Sequence, residues 1–217
     1  MPTLHDDGYE IRDRWFHIEH GLKELVTERL KTSGGPIFND NQDIHKNDKK
    51  RIQALLPLRE FSVSYIRNKL TWAFPDHAVG GVVALQSKAG CQRQAAHCDY
   101  VPDEDFLATT DDTVPLLCVI ALEEETKLDV WPRSHQIVRN IRAARRIPTI
   151  SRKTLILNMG DVVIFRGDLV HAGSSYAATN TRIHVYLDHP TVPRMRNRTW
   201  VIYKHADPFL QERIADA

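Results

Sequence analysis

Residues Gly160–Ser175 read GDVVIFRGDLVHAGSS, a turn followed by two short strands. Gly160-Asp161 supplies the turn, Val162 to Phe165 is a strand-length run of β-branched and aromatic residues, and His171 sits on the next short strand. The same texture extends both ways. From about Val79 the runs GVVALQSKA, TVPLLCVIAL and KLDVWP precede it, RIHVYLD and WVIYK follow, and Gly, Pro, Asp and Asn punctuate them. Many short strands without a long-period repeat or a Gly/Ser linker predict one mainly β domain over residues 1–217, with a β-barrel or two-sheet jelly roll at residues 79–205.

The N-terminal residues 1–78 are expected to be helical support packed on one outer face of that barrel. Ile11, Trp15, Ile18, Leu22, Leu25, Val26 and Leu30 recur at steps of three and four, which predicts a long helix from about Tyr9 to Lys31. A polar, turn-rich segment at residues 33–49 leads to a second helical region from about Lys50 to Trp72.

Composition excludes several classes. Hydrophobic residues are 42% and charged residues 26% of the 217, which is ordinary for a folded globular chain and unlike disorder. A formal net charge of +1 gives no global reason to expect a polyanionic partner. Cys91, Cys98 and Cys118 form no CxxC pair, and no stretch approaches the length of a membrane span. Reduced thiols and an intracellular location, cytoplasmic or nuclear, are therefore expected.

The chemistry is concentrated in a few residues. In CQRQAAHCDY, His97 and Asp99 are two apart, so a strand sends both to one face and Cys98 to the other. His171 follows His97 by 74 residues, and Arg182 follows His171 by 11, opening the apolar run RIHVYLD. A lone histidine in an apolar strand is ordinarily a core residue bonded to the backbone. Two histidines and a carboxylate in a β-rich frame are also the facial triad of non-haem Fe(II) sites, and the missing thiolate ligands argue against structural zinc. An arginine pointing into a barrel calls for an anion, because an unpaired buried guanidinium is costly. A dicarboxylic oxo acid chelating the iron would supply that anion.

On these residues the chain resembles the Fe(II)/2-oxoglutarate-dependent dioxygenases, particularly the phytanoyl-CoA hydroxylase-like branch. The elements are LQSKAG, His97-Cys98-Asp99, TKLDVWPRSH, GDVVIF, His171 and Arg182, between about Gly80 and Asp188. The resemblance implies a double-stranded β-helix with His97, Asp99 and His171 as iron ligands and Arg182 binding 2-oxoglutarate. It also implies an enzyme that uses O2 to hydroxylate, or oxidatively demethylate, a substrate C–H, releasing succinate and CO2. Asp99 is present where halide-binding relatives carry a small residue, which disfavours halogenation. In WPRSH, Arg133 stands where relatives have glycine, and His184 stands where an Arg-x-Ser pattern would place a hydroxyl.

His184 shares a strand face with Arg182 and is a candidate for the cosubstrate carboxylate; a core role is the alternative. Gln86 and Lys88 precede the His97-Asp99 pair and are candidates for cosubstrate or substrate contact. Trp131, Arg133 and Arg139 are candidates for substrate contact. Residues 133–153 hold seven basic residues and no acidic one, which reads as a solvated face or as a binding surface for an anionic substrate. No aromatics are interleaved with the arginines, so nucleic acid is not favoured. Two rival readings keep the metal site without this chemistry: a sensor or scaffold, and a cupin-like isomerase or hydrolase using another divalent metal.

Overall fold

The computed structural model describes residues 1–37, 50–102, 110–140, 148–192 and 199–216. Twelve strands are numbered in chain order: β1 Tyr9–Arg12, β2 Gly35–Pro36, β3 Arg51–Leu55, β4 Ala78–Ser87, β5 His97–Cys98, β6 Leu116–Ala121, β7 Thr126–Val130, β8 Lys153–Leu157, β9 Val162–Arg166, β10 His171–Gly173, β11 Asn180–Asp188 and β12 Trp200–Val201. They form a seven-stranded sheet in the order β1-β9-β6-β11-β4-β3-β2 and a five-stranded sheet in the order β12-β5-β10-β7-β8. All the pairings are antiparallel. The two sheets face each other as a jelly roll, the expected fold class.

The large sheet is buried on both faces, which explains why its strands read as continuous apolar runs. On β6, Leu117, Val119 and Ala121 face the space between the sheets, while Leu116, Cys118 and Ile120 face outward onto the helices. On β9, Val163 and Phe165 point inward, and Val162 and Ile164 point outward. Helix α1 (His20–Ser33) lays Leu22, Val26 and Leu30 on the outer side, and helix α2 (Phe61–Ala73) adds Val63, Ile66 and Leu70. The small sheet has its own outer cluster, where Cys98 and Ala172 meet Trp131, Ile137, Val170 and Ile202.

Both N-terminal helices are shorter than the periodicity predicts. Tyr9–Arg12 is an edge strand on β9, with Tyr9 and Ile11 directed to the inter-sheet core. Of this pair only Ile11 belongs to the helical pattern, and Tyr9 and Ile11 are two apart, the spacing of a strand face. Arg14 then takes a left-handed φ of 46°, and its N–H donates to Asp161 Oδ1 at 2.8 Å, so the helix starts only at His20. Arg51–Leu55 is likewise a strand, paired with β4, and the second helix starts beyond Pro57. Residues 1–78 therefore supply three strands of the large sheet as well as the supporting helices. Of the segment 33–49, residues 38–49 lie outside the described residues.

Candidate metal centre

β5 and β10 are neighbours in the small sheet, and His97 and His171 stand opposite each other in the register. Their rings are 4.5 Å apart, and the edge of Phe165 supports His171 at 4.8 Å. Each Nδ1–H donates to the carbonyl two residues earlier, His97 to Ala95 at 2.7 Å and His171 to Leu169 at 3.0 Å. A carbonyl only accepts, so both rings carry their proton on Nδ1 and the lone pair on Nε2. Asp99 follows β5, and its Oδ1 lies 3.7 Å from both Nε2 atoms. The three donor atoms lie within 4.8 Å of one another. Both histidines are buried and Asp99 is half-buried.

The strand carrying His171 is braced by the turn before it. Arg166 forks onto Asp168 with bonds of 2.9 and 3.0 Å and also donates to Asp111 at 3.0 Å. This buried pair holds the turn that presents the Leu169 carbonyl to His171. Cys98 packs behind the site, its Sγ 3.5 Å from the Asp168 carbonyl, and burial pushes its thiol well above the usual range. It stays protonated and turned away, as the alternation of His97-Cys98-Asp99 predicts.

The triad opens into a cavity of about 510 Å³ that Arg182, His184 and Tyr186 of β11 also line. The same alternation puts Ile183, Val185 and Leu187 into the helix-facing core. Nη1 of Arg182 donates to Ser87 Oγ at 3.0 Å, and its guanidinium lies 5.7 Å from the centre of the Tyr176 ring. His184 Nε2 lies 3.6 Å from Asp99 Oδ2, and the ring stacks on Tyr186 at 4.6 Å.

Other expected contacts are not brought here. Gln86 lies between two inward-facing neighbours and so points to the opposite face, where its amide donates to Thr181 Oγ1 at 3.3 Å. Lys88 is exposed beyond the strand end. Trp131 is buried in the outer cluster of the small sheet and donates from Nε1 to the Ala215 carbonyl at 2.6 Å. Arg133 is exposed at a left-handed φ of 70°, the conformation that favours the glycine it replaces. Arg139 pairs with Asp111 at 3.1 Å. None of the five lines the cavity. In the basic segment, Arg152 pairs with Asp129 at 3.2 Å and Lys153 bonds the Tyr9 hydroxyl, while Arg142, Arg145 and Arg146 lie outside the described residues. Gly35, Pro36, Ile37, Leu55, Gly80 and Gly81 also line the cavity.

Sequence reasoning missed Gln94, whose Oε1 accepts from the Gly173 N–H at 2.9 Å beside the triad. It also missed buried Arg51 and Ser87, which meet behind Arg182. Gln94 had a signal, three residues before His97; Arg51 had none, because its segment is read as helix.

No protein-family model matches the chain, and no curated protein sequence matches it. Solved structures match its fold. The non-heme alpha ketoglutarate dependent carbocyclase SnoK from nogalamycin biosynthesis aligns with a TM-score of 0.61 and 16% identity, over 85% of this chain and 81% of its own. HygX from Streptomyces hygroscopicus, solved with nickel and 2-oxoglutarate bound, aligns at 0.61 and 13%, over 89% and 87%. A Pseudomonas putida prolyl-4-hydroxylase aligns at 0.60 and 11%, over 86% and 95%. The chain has the double-stranded β-helix fold of these structures. Their spread over a carbocyclase, HygX and a hydroxylase does not single out the phytanoyl-CoA hydroxylase-like branch.

Proposed function

We propose that the protein is a non-haem Fe(II)- and 2-oxoglutarate-dependent oxygenase that hydroxylates, or oxidatively demethylates, a C–H of a small substrate. The observation that carries this reading is the convergence of His97 Nε2, His171 Nε2 and Asp99 Oδ1 within 4.8 Å, in the cavity that buried Arg182 also lines. The donor set fits the metal: two neutral imidazoles with their tautomers fixed by carbonyls and one carboxylate match Fe(II) and leave further positions for a chelating oxo acid. Bound iron and 2-oxoglutarate supply the oxidative step, consuming O2 and yielding succinate and CO2.

The protein's own part is binding, orientation and exclusion of water. His97, Asp99 and His171 would hold the ion, and Arg182 would bind the distal carboxylate of the cosubstrate through charge-assisted bonds. His184, beside Asp99 on the same strand face as Arg182, orients the carboxylates next to it. Phe165, Leu128 and Val119 keep the floor of the cavity apolar. Arg133 and Arg139 do not line the cavity, so an anionic substrate would be met by other basic residues.

The test is anaerobic titration of the protein with Fe(II) and then 2-oxoglutarate, followed by admission of O2 and a succinate assay. A visible metal-to-ligand charge-transfer band with succinate release is expected. A folded protein that binds neither would overturn the reading in favour of a barrel that serves as scaffold; Fe(II) binding without the 2-oxoglutarate band would favour a sensor or different metal chemistry.

A further inference from the structure

Arg51 is fully buried on β3, and one side chain ties together three other parts of the chain. Its Nη1 donates to Ser87 Oγ at 2.8 Å on β4. Its Nη2 donates to the carbonyls of Gln92, Gly173 and Ser174, the last at 2.8 Å. Gln92 begins the segment that leads to His97, and Gly173 ends the strand that begins with His171. Ser87 is fully buried too, and its Oγ also accepts from Arg182 Nη1 at 3.0 Å. A serine hydroxyl has two lone pairs. Here two guanidinium groups occupy both.

This arrangement joins the two ends of the cavity. Arg182 lines the cavity, whereas Arg51 and Ser87 stand behind it. Ser87 fixes one corner of the Arg182 fork, and Arg51 fixes Ser87 while bonding to both segments that carry the histidines. Gly173 permits the close approach: a Cβ there would lie 2.8 Å from Arg51 Nη1 and 2.4 Å from Gln94 Oε1.

We propose that Arg51 and Ser87 are positioning residues for Arg182, setting its guanidinium at a fixed span from the triad and so selecting a dicarboxylic oxo acid. The inference rests on the reading of Arg182 as the cosubstrate's carboxylate partner. Neither residue touches the ligand; both act through Arg182.

The test is calorimetric titration of the Fe(II)-loaded protein, under nitrogen, with 2-oxoglutarate and with 2-oxobutyrate, which lacks the distal carboxylate. Ser87→Ala is expected to weaken 2-oxoglutarate about tenfold, the worth of one hydrogen bond to a charged group. It should leave 2-oxobutyrate and Fe(II) binding unchanged, and Ser87→Thr, which keeps the hydroxyl, should restore the affinity. Arg51→Lys should reproduce the Ser87→Ala loss and add little to it in the double variant. Equal weakening of both oxo acids would reveal general loss of structure and overturn the proposal. If Arg182→Ala weakens 2-oxoglutarate and Ser87→Ala does not, the positioning role is wrong and the reading of Arg182 stands. If Arg182→Ala binds 2-oxoglutarate as the unaltered protein does, that reading falls and the proposal with it.

Discussion

A ring nitrogen bonded to a carbonyl two residues upstream gives His97 and His171 the same orientation, although they come from distant parts of the chain. On the proposed reading, replacing either would leave a carboxylate and one imidazole, too few donors to hold Fe(II) well. His171→Ala is expected to abolish Fe(II) binding and succinate formation while the circular dichroism spectrum stays native; retained metal affinity would remove His171 from the ligand set. Gly173→Ala tests the crowding behind the site. The added methyl would drive into Gln94 and Arg51, and such overpacking costs about 1–3 kcal/mol in denaturant unfolding. The triad and Arg182 were legible in the sequence because their chemistry and order mark them out among apolar strands. Arg51 and Ser87 were not, since each is defined by partners brought near only by the folded sheets.

The strand β11 shows how one element serves core and site together. Arg182, His184 and Tyr186 face the cavity, and Ile183, Val185 and Leu187 face the helices, so burial on both sides makes the run look uniformly apolar with polar residues interspersed. Such strands were readable by residue type. The N-terminal strands were not, because Tyr9–Arg12 and Arg51–Leu55 are too short to set extended spacing against the longer helical pattern around them, and long-range pairing decided. The helices are held by packing on the large sheet, and one truncation measures it. Leu70→Ala on α2, at a fully buried position, is expected to cost about 2–5 kcal/mol in urea unfolding. Trp72→Ala, two residues on and exposed, should stay within about 0.5 kcal/mol. Equal effects would contradict the described orientation of the helix.

Across the whole molecule, stability should depend on pH through two histidines outside the metal centre. Burial holds the His135 imidazole below its ordinary value, outweighing the pull of Asp168, and His77 is lowered by burial as well. Below the ordinary histidine value of about 6.5, the unfolded chain takes up protons that the folded chain resists. Their stabilising contribution is therefore fully present above that pH and is lost as pH falls through the lowered folded values. The unfolding midpoint of the metal-free protein is expected to drop between pH 7.5 and 5.5, and His135→Gln should make the drop shallower. A midpoint that rises over that interval would reverse the sign of the argument. No helix among the described residues is long and apolar enough to cross a membrane.

The pairing of β1 with β9 also governs the order of assembly. Tyr9–Arg12 leaves the ribosome before its partner Val162–Arg166 exists, since about 150 residues separate them, and translation at about 5–20 residues per second makes the wait roughly ten to thirty seconds. For the last third of that interval β6, β9's other neighbour, also lacks a strand on that side. The nascent chain therefore carries unpaired strand edges until GDVVIF emerges. Slower translation is expected to lengthen that exposure and so to favour aggregation of the nascent chain.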